Sequence, residues 1–194
     1  MINPKQLLEY VIRPVLIDLD VHPKLKMRTV DGITTTVVLT SDERNILRLR
    51  DERLILGTAC QESGCGHWLH QVGGGPALGI WQQEPDDHDD IFANFLAYKP
   101  NLLAKVSALT VLCAAEQMIW NLKYACAMCR IHYLRVPEPI PDYLAGQAKY
   151  WNENYNRNPN YGTDAEYMSA WNRFVAPDTI KYTAGLPDLS RERS

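Results

Sequence analysis

The chain has 194 residues, 46% of them hydrophobic and 22% charged, which suits one to one-and-a-half domains with a buried core and excludes a disordered polymer. Its 20 Lys and Arg against 23 Asp and Glu give a net charge of −3, and the absence of a basic stripe argues against nucleic acid as a partner. No apolar run approaches the ~18 residues that a membrane span needs, and the N-terminus lacks the basic stretch and apolar run of a secretory signal.

Residues 3–19 predict a first helix. Asn3 can cap it, Pro4 suits its first position, and Leu7, Leu8, Val11, Val15 and Leu19 recur at helical spacing, with Pro14 expected to kink or break it. Near residues 22–40 the β-branched run from Thr34 to Thr40 and the Asp31-Gly32 turn signal predict a small β-hairpin or an extended arm. Ser41 and Asp42 open a second helix reaching about Ser63. It is solvated at first (Arg44, Arg48, Arg50, Asp51, Glu52, Arg53), then wholly apolar from Leu54 to Cys60. Gly64 to Gly79 is a glycine-rich loop, and Pro85-Asp86 starts the next helix with acids in its first turn. The stretch from Leu102 to about Leu134 is helical with a break near Ala114, and the proline-rich segment Val136 to Pro141 stops it. A helix from about Asp142 to Tyr155, a polar loop, a helix starting near Thr163 and a frayed tail from Leu189 to Ser194 complete a single, mainly α domain. It divides into an N-terminal helix and arm (1–49), a core (50–175) and a C-terminal tail (176–194).

Chemistry concentrates after the second helix. Glu62 is a carboxylate at the end of a helix that has just become apolar. Desolvation and the negative end of the helix dipole both disfavour its charged form, so its pKa should rise as a general acid requires. The glycines around it leave backbone exposed for an extended polymer, and Trp68 and Trp81 can offer ring faces to sugars. Five Trp and ten Tyr against three Phe fit such a wall. Tyr150, Trp151, Tyr155 and Tyr161 are further candidates for it, although Trp151 and Tyr155, at i and i+4, read equally well as a packed core pair.

Glu62-Ser63-Gly64, followed by Gly79-Ile80-Trp81-Gln82, resembles the pattern of the lysozyme-like superfamily, closest to lytic transglycosylases and goose-type lysozymes. The stretches Leu56–Ser63, Gly75–Pro85 and Tyr133–Glu138 are similar to phage proteins of that superfamily. The resemblance covers about residues 50–170 and implies a lysozyme-like fold that cleaves the β-1,4 bond between N-acetylmuramic acid and N-acetylglucosamine. It implies Glu62 as catalytic acid, Gln82 as a glycan-contacting residue and Ser63 as support for the Glu, with Trp81 in place of the more usual Met. Gly79, Trp68, Trp81 and Tyr155 join Ser63 and Gln82 as candidate substrate-binding residues. A lytic transglycosylase needs no second carboxylate. A hydrolytic lysozyme does, and Glu84 and Asp86, with Asp87, Asp89 and Asp90 nearby, are the candidates.

No cofactor or metal is expected. Cys60, Cys65, His67 and His70 are metal-ligand types, but their spacing is too compressed for the usual zinc fingers, and both histidines read as groove-lining or surface residues. Cys126-Ala127-Met128-Cys129 falls mid-helix and reads as small core packing, and an odd total of five cysteines suits a reducing compartment. The expected partners are peptidoglycan glycan strands and, beside them, other phage virion or tail proteins. The chain would be made in a host cytoplasm and act on the cell wall, as an endolysin or a virion component. The rival expectation is a structural or glycan-binding virion protein that keeps the fold without turnover.

Overall fold

A computed structural model describes residues 1–156 and 162–175. It is mainly helical with one two-stranded antiparallel hairpin. The tail and Tyr161 lie outside the described residues.

The first helix begins at α1 (Pro4–Leu7), where the Asn3 carboxamide accepts from the Lys5 and Gln6 amides. The rod continues through a π-helical stretch, Leu8–Ile12, into α2 (Arg13–Leu19). Pro14 therefore does not break it. Proline lacks the N–H its turn needs and crowds the preceding carbonyl; the wider turn just before it, closed by Arg13 N–H on Leu8 O, absorbs both defects. Leu7, Leu8, Ile12, Val15, Leu16 and Leu19 are all buried. The arm is a hairpin of β1 (Leu25–Val30) and β2 (Ile33–Val38), with Val30 opposite Ile33 across Asp31-Gly32. Both turn residues have positive φ (50° and 76°), as a two-residue hairpin turn of the right twist requires.

The long helix α3 (Ser41–Ser63) starts from Thr40, whose hydroxyl accepts from Glu43 N–H while the Glu43 carboxylate accepts from Thr40 N–H. Its polar half is not solvated throughout, as the charge pattern suggested. Asp51 and Glu52 are buried. Asp51 accepts from Arg130 at 2.7 Å and lies 3.2 Å from His22; Glu52 accepts two bonds from Arg13, at 2.9 and 2.8 Å. Burial is tolerable there because other helices bring the countercharges, and helical periodicity carries no record of such partners.

After the loop come α4 (Pro85–Asn94), α5 (Pro100–Ser107), α6 (Gln117–Trp120) and α7 (Leu122–Leu134), so the expected break near Ala114 is real. Helix α7 is buried at every position from Tyr124 to Tyr133 and forms the centre of the molecule. Cys126 and Cys129 are free thiols inside it, in the packing role expected of them. Helices α8 (Leu144–Asn154) and α9 (Asp164–Phe174, capped by the Thr163 hydroxyl) close over α3. Among the described residues no helix is long and apolar enough to cross a membrane.

Candidate active site

Glu62 occupies the last turn of α3, and the loop that follows is tied back to that turn by its neighbour. Ser63 is buried; its hydroxyl donates to Ile80 O at 2.6 Å and accepts from Gly66 N–H at 2.8 Å. Ser63 thus ties the loop to the helix with its hydroxyl, and it also borders the hollow against α9. Ile80 and Trp81 enter the core beside it. Trp81 is only 1% exposed and its indole N–H donates to Ile55 O at 2.9 Å, so it is a strut between loop and helix. The expectation that it offers a ring face to a sugar is corrected: an indole beside an apolar helix gains more from the core than from a groove. Gly79 is likewise a packing position, with φ 74° and no room for a Cβ against the Met118 carbonyl oxygen.

The remaining candidates surround an open cleft of about 500 Å³. Glu62, Trp68, Gln82, Glu84 and Tyr155 line it, joined by Asp87, Gln61, Gln71, His132, Trp151 and Asn156. Asp86 is not among the lining residues; the first turn of α4 presents Asp87 instead. That helix is anchored by His88, buried with Nε2 2.7 Å from the Tyr124 hydroxyl of α7. Gln82 holds a left-handed backbone (φ 47°), and its amide donates to Gly79 O at 2.7 Å; strain of that kind concentrates at functional sites. Tyr155 donates its hydroxyl to Trp81 O at 2.8 Å and packs its ring against His132. Tyr150 is buried, with its hydroxyl on Glu138 O, and takes no part in the wall. A second hollow of about 800 Å³ lies against α9 and shares Gln61, Glu62 and Trp68 with the first. Glu62 therefore stands between two hollows, beside a Trp68 ring that is 50% exposed.

Trp151 is the partner that sequence reasoning did not supply. Its indole N–H donates to Glu62 Oε1 at 2.8 Å. Burial pushes the Glu62 carboxyl up to about 7, and this hydrogen bond pulls it part of the way back. Trp151 is itself fixed by packing against the Tyr167 ring, with centroids 5.4 Å apart. The sequence-based alternatives for Trp151 and Tyr155, core pair or cleft wall, are both realised: each packs into the core and turns one edge to the cleft.

Cys60 and Cys65 bring their Sγ atoms to 2.9 Å inside the core, where their mutual hydrogen bond and burial push the Cys60 thiol up. His67 meets the Trp68 ring edge-on, and His70 forms a backbone bridge to Leu78. Among the described residues no group of three His, Cys, Asp or Glu is placed to hold a metal ion. The chain matches no known protein family, no curated protein and no solved structure.

Proposed function

We propose that this protein cleaves the glycan strands of peptidoglycan at the β-1,4 bond between N-acetylmuramic acid and N-acetylglucosamine, with Glu62 as general acid and then base. The observation that carries the reading is Glu62 itself: a carboxyl held near pH 7 by burial, oriented by one indole N–H, and lining two hollows that also share Gln61 and Trp68. In this mechanism the Glu62 carboxylic acid protonates the glycosidic oxygen as the C1–O bond breaks. The carboxylate then takes the proton of the muramic 6-hydroxyl while that oxygen closes on C1, which leaves a 1,6-anhydro product and returns Glu62 to its acid form. No second carboxylate is required. A hydrolytic variant, in which water replaces the 6-hydroxyl, would draw on Glu84 or Asp87 at the cleft wall. The phage setting, as endolysin or virion component, rests on the sequence resemblance.

Mass spectrometry of digested sacculi tests the reading. Anhydromuropeptides identify the intramolecular route and free reducing ends the hydrolytic one, and Glu62→Gln should reduce either product at least ~10²-fold while keeping the helical circular dichroism. Intact glycan with the wild-type chain, or equal cleavage by Glu62→Gln, overturns the proposal and favours a non-catalytic glycan-binding role.

A further inference from the structure

The hairpin lies outside the cleft and is conspicuously bare. Every residue of β1 is exposed, and in β2 only Val37 is half-buried. Leu25, Met27, Val30, Ile33 and Val38 each leave more than half of their surface in water. An isolated two-stranded hairpin is marginal in water, and among the described residues no further strand or layer covers this one.

Its two free edges differ. β1 carries Lys26 and Arg28, with Lys24 just ahead of it, the cationic guard by which natural edge strands avoid pairing. β2 reads Ile33-Thr34-Thr35-Thr36-Val37-Val38: β-branched throughout, with no charge, proline or glycine. That is the composition of a strand that pairs again.

We propose that the free edge of β2 is a homodimer interface, where β2 of a second copy pairs antiparallel about a two-fold axis at Thr35 and the two hairpins form one four-stranded sheet. The two-residue turn makes Val30–Ile33 and Arg28–Thr35 the pairs bonded within the hairpin, so the N–H and C=O groups of Thr34, Thr36 and Val38 point out of the free edge. Pairing about Thr35 then bonds Thr34 to the partner's Thr36 and sets Ile33 opposite the partner's Val37. Each of these is a favourable cross-strand pair of β-branched residues. Charge selects the occupant: an uncharged edge meets its own copy without repulsion, whereas β1 against β1 would oppose Lys26 and Arg28 to their counterparts. The same pairing gathers Leu25, Met27 and Val38 of both copies on one face of the sheet, because they share the side of Thr34 and Thr36.

Sedimentation of the full chain from low to several hundred micromolar tests this, and a reversible monomer–dimer equilibrium is expected. Thr36→Pro removes an outward N–H and spares the bonds to β1, and Thr36→Lys adds like charges to the facing strands. Each should weaken dimerisation at least ~10-fold with unchanged circular dichroism. In a Cys113→Ser background, Thr35→Cys should give a disulfide-linked dimer with oxidised glutathione and Arg28→Cys should not. A wild-type chain that stays monomeric throughout, variants that dimerise as tightly as wild type, or equal cross-linking at both positions overturns the proposal. None of these readouts depends on the activity proposed for Glu62.

Discussion

Glu62 and Trp151 are 89 residues apart in the chain and 2.8 Å apart in space. Two opposing effects set the proton affinity of this carboxyl. Burial removes water from its charged form and raises the pKa; the indole N–H stabilises that charged form and lowers it. Trp151→Phe keeps a ring in place and removes only the donor, so the Glu62 pKa should climb above about 7. Only the protonated form can give a proton to a leaving group. For the proposed glycan cleavage, the alkaline limb of kcat/KM should therefore move to higher pH, by about one unit for a charge-assisted bond worth ~1.5 kcal/mol. A limb that stays in place or moves downward would show that the indole does not hold the ionised form. The sequence made Glu62 legible through the apolar run before it. It could not reveal Trp151, because nothing local distinguishes an indole aimed at a carboxylate from one aimed at a core.

At the scale of elements, the site depends on how the loop after α3 returns to it. Ser63 and Trp81 tie that loop to the helix, and Gly79 lets it pass against the backbone at Met118. Gly79 and Gly73 both have positive φ, but a Cβ at Gly73 would meet open space. Gly73→Ala should then cost only backbone strain, ~1 kcal/mol, whereas Gly79→Ala adds a backbone clash and should cost well over ~2 kcal/mol. Urea denaturation of the two variants makes the comparison, and equal losses would mean that the Met118 segment yields easily. Helix boundaries in this region were legible to within a residue or two, since Thr40, Pro85 and Thr163 carry their capping or starting chemistry in the local sequence. The roles of Ser63, Trp81 and Gly79 were legible only as membership of the motif. Which of them faces a ligand and which faces the core depends on the segment packed behind.

Across the whole molecule, α3 and α7 are joined by charge as well as by apolar packing. The Asp51–Arg130 pair is buried on both sides, and the buried Glu52 pairs with a partly exposed Arg13 of α2. Arg130→Met leaves Asp51 buried beside His22 alone and should destabilise the fold by about 3–5 kcal/mol. The double change Asp51→Leu with Arg130→Met removes both charges and should recover most of that loss. Thermal or urea unfolding of the pair decides it: a double variant no better than the single one would make these charges individually structural.

The sequence by itself determined most of the helices, the Asn3 cap, the hairpin turn and the candidacy of Glu62, because these follow from periodicity, local capping chemistry and short spacing. Only the tertiary structure decided which charges are buried in pairs, that Trp81 packs inward while Trp68 stays open, that Asp87 rather than Asp86 reaches the cleft, and that Trp151 meets Glu62. The physical reason is that burial and pairing belong to two segments at once. A lone stretch of chain encodes its own conformation, but not the identity of the group that another stretch will bring to it.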